Sequence, residues 1–366
     1  MTSPKALIMA GGTGGHVFPA LAVAQELQNR GWLVDWMGTS RGLEARVVPS
    51  HQLTLHVLPV SGLRGKPIIG RIQGLWRLMV ALFKALGLML SLRPQVVLGM
   101  GGYAAGPGGL AAYLLRRPLV IHEQNAIAGT TNRLLAPLAK RVLSGLPGPF
   151  VDERRAELVG NPLRRDLEQG HVLEVPVEFT ALRPLRLLVL GGSLGSLPLN
   201  HGVPAALGDM DDDQRSRISV IHQCGAQHLE ATRQAYRACG IVHANIHPFI
   251  EDMGAAYAGA DLVICRSGAL TVSELASQRR PAILIPLPHA IDDHQTENAK
   301  ALVALGAAQL LPQPRLMGDD LPRFLAGYLD SPGRLAAMSA AADTIVSSSS
   351  SCKVADVLEE VANDWR

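Results

Sequence analysis

The stretch Leu7-Ile8-Met9-Ala10-Gly11-Gly12-Thr13-Gly14-Gly15-His16 decides the fold class. Four apolar residues run straight into a glycine turn, and helical periodicity follows from Val17 to Arg30. A strand that is apolar at every position, rather than at alternate ones, is buried on both faces, as in a parallel sheet. The same unit starts afresh at Leu187-Leu188-Val189-Leu190, followed by Gly191-Gly192-Ser193-Leu194-Gly195. Further short apolar runs at 33–37, 96–99, 119–122, 141–143, 219–222, 262–265 and 282–285 alternate with helical segments such as 72–92, 103–115, 226–238, 271–277 and 293–305. Strand alternating with helix predicts an α/β protein with parallel sheets covered on both faces. Two doubly wound halves with a cleft between them are expected. The polar, proline-containing stretch from Gly160-Asn161-Pro162 to Pro184 reads as the linker, and Lys353–Ala362 as a terminal helix.

Composition narrows the function classes. The chain has 366 residues, 48% of them hydrophobic and 18% charged, an ordinary globular profile. Its 34 Lys and Arg against 31 Asp and Glu leave a formal charge of +3, too small for the global basic field of a nucleic-acid binder. The four cysteines, Cys224, Cys239, Cys265 and Cys352, have no CxxC spacing and fit a reducing compartment. The apolar run near Met1 is too short for a signal peptide, and a cytoplasmic protein without a spanning helix is expected.

Several loops suit an anion. Glycines between a strand and a helix let a phosphate approach backbone N–H groups where the helix dipole favours negative charge. Gly11–Gly15 and Gly191–Gly195 have that form, and the first is not a Walker A loop. Gly99-Met100-Gly101-Gly102-Tyr103-Ala104 fits G-x-G-x-x-A with Glu123 downstream, which supports a rival reading as a dinucleotide-dependent oxidoreductase. Arg266-Ser267-Gly268-Ala269-Leu270-Thr271-Val272-Ser273-Glu274 also leads from a strand into a helix, with Ser267 the expected N-cap and Glu274 placed to accept both hydroxyls of a ribose. Together they suggest a nucleoside diphosphate held between the halves. His16, at a helix start, is the candidate base for a substrate hydroxyl. Pro288 to Gln295 admits a metal-ligand reading or a polar ligand-contacting loop. In 72–92, Trp76, Met79, Phe83, Leu86 and Leu90 fall at helical spacing and read as a core stripe, while the basic-apolar stretch Leu63–Arg71 before it reads as a patch for anionic lipid headgroups.

Met9 to Pro19, Gly99 to Tyr103, His122-Glu123-Gln124-Asn125, Gly160 to Arg164 and Arg266 to Glu274 together resemble one family. It comprises the bacterial N-acetylglucosaminyltransferases that convert undecaprenyl-pyrophosphoryl-muramoyl-pentapeptide, lipid I, into lipid II in peptidoglycan synthesis. The resemblance implies two Rossmann-like domains of the GT-B type, with residues 1–162 facing acceptor and membrane, 163–342 binding UDP-N-acetylglucosamine, and 343–366 forming a terminal helix that crosses back to the N-terminal domain. It implies donor contacts from Thr13, Gly14, Gly15, Asn125, Arg164, Ser193, Ile250, Ala269, Leu270, Thr271, Val272, Ser273, Glu274 and Gln295, with Ile250 meeting the uracil through its backbone. His16 would be the base, and His122 and Glu123 would line the acceptor side. Arg64, Lys66, Ile68, Ile69, Arg71 and Trp76 would form the membrane patch of an enzyme peripheral to the cytoplasmic face of the inner membrane, with no cofactor and no metal. One departure stands out: Leu194 occupies a position where many relatives carry glutamine, so that amide contact is missing. A soluble UDP-sugar enzyme of the same fold, such as an epimerase, is the alternative.

Overall fold

The computed structural model describes residues 3–60, 68–148, 150, 156–167, 170–241, 244–288, 293–342 and 349–365. The chain divides into two compact units, Met1–Arg164 with Ser349–Arg366, and Arg165–Ser348.

In the first unit, strands β1 (Lys5–Met9), β2 (Leu33–Gly38), β3 (Thr54–Val57), β4 (Val96–Gly99), β5 (Leu119–Glu123), β6 (Arg141–Ser144) and β7 (Ala156–Leu158) form one sheet. The order is β3-β2-β1-β4-β5-β6-β7, and every pairing is parallel. Successive β1 side chains point to opposite faces. Ala6 and Ile8 join a core with the helix Gly14–Asn29, while Leu7 and Met9 face the helix Ile68–Leu92. The terminal helix Ser350–Asp364 buries Val354, Leu358 and Val361 in the first of these cores. Arg30 adds ion pairs to Asp356 (2.6 Å) and Glu359 (3.0 Å) on that helix.

The second unit carries β8 (Leu185–Leu190), β9 (Ile218–Gln223), β10 (Ala244–His247), β11 (Leu262–Cys265), β12 (Ala282–Leu284) and β13 (Ala308–Leu310), ordered β10-β9-β8-β11-β12-β13 and again all parallel. Strand order reverses between β1 and β4 in one sheet and between β8 and β11 in the other. At such switch points the loops leaving the two strands run apart and open a crevice beyond their carboxyl ends. The glycine loops at 11–15 and 99–104 leave the first switch point, and those at 191–195 and 266–268 leave the second.

Three features differ from the sequence reading. The strands that the apolar runs missed, β3, β7, β10 and β13, are the four sheet edges. An edge strand is covered less, as the mostly half-buried and exposed residues of β3 and β7 show, so its composition need not be continuously apolar. The stretch read as a linker is a wall of the second unit from Arg165 onward: Leu167, Leu173 and Phe179 are buried, and the Gly170 N–H donates to Ser277 O (3.1 Å). In Ile68–Leu92 the small residues Ala81 and Ala85, with Met89, face the core. Trp76, Met79, Phe83 and Leu90 of the expected core stripe are exposed instead, Trp76 at 72%. Arg64 and Lys66 lie outside the described residues, as do the side chains of Ile68, Ile69 and Arg71.

Candidate active site

At the first switch point the loop after β1 rests on a buried carboxylate. Glu44 Oε2 accepts the Gly12 N–H (2.9 Å), and Oε1 accepts the Thr39 N–H (2.8 Å) and hydroxyl (2.6 Å). A negative charge directly beneath Gly12 disfavours a phosphate there, so electrostatics overrides the glycine-rich form of the loop. Thr13 is the exposed N-cap of Gly14–Asn29, and Gly14 and Gly15 open that helix with first-turn N–H groups that have no intrahelical acceptor.

The loop after β4 packs onto this one. Gly101 and Gly102 have φ of +98° and +84°. A Cβ at Gly102 would collide with the Gly11 carbonyl oxygen, and one at Gly101 would sit 3.0 Å from the His16 ring. Close approach, not a pyrophosphate, explains these glycines. Glu123, the acid expected on a ribose, is buried: Oε1 accepts from the Asn125 N–H and Nδ2 (both 3.0 Å), and Oε2 from the Gly129 N–H (3.0 Å) and Asn132 Nδ2 (2.9 Å). It shapes the loop that presents Asn125, and the dinucleotide reading loses both of its supports.

His122 is likewise buried and faces no open surface. Its Nε2 lies 2.9 Å from Gly160 O, and burial pushes the imidazole down to about 4, so the ring is neutral at pH 7. Gln124 lies between the two histidines, with Nε2 3.2 Å from His122 Nδ1 and Oε1 2.9 Å from His16 Nδ1. Asn161, from the Gly-Asn-Pro motif, steadies the segment by donating to Gln124 O (3.0 Å). His16 itself is half-buried, and Arg164 is exposed at the end of the first unit.

At the second switch point there is a cavity of about 830 Å³, lined in part by Ser193, Ser196, His228, Arg266, Gln295 and Gln313. No described lining residue carries a carboxylate. Arg266 donates through Nη1 to Ile285 O (3.1 Å) and Pro286 O (3.2 Å), and through Nη2 to Ser196 Oγ (2.9 Å) and Gln313 Oε1 (2.6 Å). The fork ties three loops together and sets a positive charge in the wall. Ser196 caps the helix Leu197–Gly208, whose first residues also line the cavity, so its dipole adds to that field. Close packing shapes this loop too: Gly195, at φ +79°, abuts the Cys224 carbonyl.

The remaining predicted residues of this unit are placed around the same sheet. The N-cap of Ala269–Ser277 is Gly268, not Ser267, which is fully buried. Extended backbone at Gly268 leaves the N–H groups of Ala269, Leu270 and Thr271 at the helix mouth. The Val272 side chain belongs to the core and Ser273 is half-buried. The Tyr257 hydroxyl donates to Glu274 Oε2 (2.9 Å), which aims the carboxylate. The Ile250 N–H donates to Gln223 Oε1 (2.8 Å), which fixes the peptide there. Gln295 Oε1 accepts the Leu287 N–H (2.9 Å), and Leu194 is 86% exposed at the cavity rim. His289 to Asp292 lie outside the described residues. Sequence reasoning gave no role to Glu44, Gln124, Tyr257 or Gln313. Their partners stand up to 108 residues away in the chain, and no local spacing announces them.

Comparison with known proteins matches this layout. A model of the glycosyltransferase family 28 N-terminal domain matches residues 6–144, and one of the family's C-terminal domain matches residues 186–358. The UDP-N-acetylglucosamine–N-acetylmuramyl-(pentapeptide) pyrophosphoryl-undecaprenol N-acetylglucosamine transferase of Stutzerimonas stutzeri is 51% identical over 357 residues, covering 98% of both chains. The protein of the same name from Alkalilimnicola ehrlichii is 54% identical over 342 residues, covering 92% of this chain and 93% of that one. The crystal structure of Acinetobacter baumannii MurG is similar with a TM-score of 0.81 at 37% identity, covering 98% of this chain and 99% of that one. With both domains of the family matched in chain order, and relatives of this identity along nearly the whole length, the chain belongs to glycosyltransferase family 28.

Proposed function

We propose that this chain is an inverting glycosyltransferase that moves N-acetylglucosamine from UDP-N-acetylglucosamine to the 4-hydroxyl of the muramoyl sugar in undecaprenyl-pyrophosphoryl-MurNAc-pentapeptide. The observation that carries the donor side is the cavity at the second switch point, with no carboxylate among its described lining residues and with Arg266 and a helix N-terminus in its wall. The names of the relatives supply the sugar and the acceptor, and none of those given above is an epimerase. On this reading Ser193 and the first-turn N–H groups of Ala269, Leu270 and Thr271 hold the diphosphate. Glu274 accepts the ribose hydroxyls, the Ile250 carbonyl accepts from the uracil ring N–H, and Gln295 contacts the sugar. Thr13, Gly14, Gly15, Asn125 and Arg164 belong to the first unit and on this reading are further donor contacts.

The reaction is a single displacement. His16 Nε2 takes the proton of the acceptor hydroxyl as its oxygen bonds to the anomeric carbon. The bond from that carbon to the β-phosphate oxygen breaks, and UDP leaves with the electron pair. Helix N-termini and Arg164 stabilise the charge that develops on the diphosphate.

The acceptor is a lipid, so the enzyme works at a membrane surface. Among the described residues no helix is long and apolar enough to cross a membrane. The exposed apolar face of Ile68–Leu92, flanked by exposed Arg77 and Lys84, supports peripheral docking on anionic lipid. The direct test is release of UDP from UDP-N-acetylglucosamine with and without a lipid-linked muramoyl acceptor. Release that requires the acceptor supports the assignment, and release that is absent or indifferent to the acceptor refutes it.

A further inference from the structure

The polar groups behind His16 form a series in which each hydrogen bond dictates the next. The series starts at Gly160 O, a backbone carbonyl that can only accept. His122 Nε2, 2.9 Å away, therefore carries a proton. The ring is wholly buried and neutral, so it holds only that one proton and its Nδ1 presents a lone pair. Gln124 Nε2 lies 3.2 Å from His122 Nδ1 and 3.2 Å from His122 O, which are both acceptors. This pair fixes the amide orientation by chemistry, because the opposite assignment would set an oxygen against two acceptors. The other end of the amide, Oε1, then faces His16 Nδ1 at 2.9 Å and accepts its proton. A neutral His16 with its proton on Nδ1 has its lone pair on Nε2.

An imidazole in water favours the opposite tautomer, with the proton on Nε2, which is useless as a base at that atom. The hydrogen bond on one ring nitrogen selects the state of the other. A carboxylate in this position would orient the ring and also add a charge. Here a neutral amide orients without charge, and its own orientation is set by a second, buried histidine. Gly101 completes the clamp, since its backbone lies so close to the His16 ring that a Cβ would stand 3.0 Å from Cε1 and Nδ1.

We propose that Gln124 and His122 are positioning residues that hold His16 in its Nδ1–H tautomer, so that the Nε2 lone pair is the one offered to the acceptor hydroxyl. This rests on the reading of His16 as the base, and it assigns His122 a role behind His16 rather than on the acceptor surface. His122 sets the direction of the Gln124 amide, and Gln124 sets the tautomer of His16.

The test reads tautomers directly. In full-length protein labelled with ¹⁵N-histidine, a long-range ¹H–¹⁵N correlation spectrum at pH 8 distinguishes protonated from unprotonated ring nitrogens, and loss of a signal in His16→Ala assigns His16. The expected wild-type pattern is a protonated Nδ1 and unprotonated Nε2 for His16, with the reverse for His122. In Gln124→Met, which keeps the volume and removes the acceptor, the His16 pattern shifts toward protonated Nε2. In the same variant kcat falls about tenfold or more while KM for the sugar nucleotide stays within about twofold. A wild-type spectrum with His16 protonated at Nε2 overturns the proposal, whether or not any variant folds. So does a Gln124→Met protein with unchanged tautomer and unchanged kcat. If the wild-type protein transfers no sugar to the lipid-linked acceptor, the transferase reading fails, and the wild-type spectrum still decides the tautomer.

Discussion

Lowering the pH should weaken the second unit through one buried histidine. His222 is fully buried, with Nδ1 2.8 Å from the Tyr236 hydroxyl and Nε2 3.1 Å from Asn200 Oδ1. Asn200 Nδ2 donates to Cys224 O (3.0 Å), so its oxygen end must face His222 and accept from Nε2–H. The Tyr236 hydroxyl, pushed up by burial, stays protonated and donates to Nδ1. Burial holds the ring at about 3, against an ordinary value of 6.5. The sign follows from linkage. Below pH 6.5 the unfolded chain binds this proton and the folded one does not, so stability falls as pH falls, until the folded group titrates near 3. The slope approaches about 1.4 kcal/mol per pH unit, and between pH 8 and 4.5 this one group removes about 3 kcal/mol.

The assay is urea unfolding at a series of pH values for wild type and His222→Gln, followed by far-UV ellipticity. The Gln variant loses some stability at neutral pH but has no imidazole to protonate, so its curve against pH should be flatter by about 3 kcal/mol over that range. Trp32, Trp36, Trp76 and Trp365 all lie in the first unit, so tryptophan fluorescence serves as an internal control that the substitution leaves unchanged. Parallel pH curves for wild type and variant between pH 8 and 4.5 would refute the reasoning.

Other expectations are shorter. Tyr257→Phe removes the 2.9 Å hydrogen bond to Glu274 and leaves the ring in place; UDP binding, read by titration calorimetry, should weaken about tenfold, the equivalent of about 1.5 kcal/mol. Phe179→Ala empties a fully buried site on the stretch that reads as a linker in sequence, and should destabilise the second unit by about 3–5 kcal/mol in urea without moving the fluorescence transition of the first. Leu194→Gln, at an exposed position on the cavity rim, should leave stability unchanged and tighten the donor KM about two- to tenfold by supplying the absent amide.

How much was legible in the sequence varied with how local the signal was. Central strands such as Leu7–Met9 and Leu187–Leu190 had to be apolar throughout because helices cover both faces of the sheet, and that requirement is written in consecutive residues. Edge strands escape the requirement and escaped notice with it. The helix Ile68–Leu92 misled for a related reason. Large apolar residues at helical spacing normally mark the buried stripe, but here Ala81 and Ala85 allow close approach to the sheet and the bulk of Trp76 and Phe83 is turned outward. Periodicity shows that a helix has an apolar stripe, not which stripe the neighbouring helix covers.

The same division separates the sites. By itself the sequence determined two doubly wound sheets, glycine loops at the carboxyl ends of their first strands, and His16 at a helix start, because each follows from steric and hydrophobic rules acting over a few residues. Only the tertiary structure decided which loop suits an anion and which histidine offers a lone pair. Glu44 places a carboxylate under Gly12, while Arg266 places a cation beside Gly191–Gly195. Gly160, His122 and Gln124 arrange the protons that end at His16. Charge and proton placement act through space between groups distant in the chain, and the fold alone brings those groups within hydrogen-bond reach.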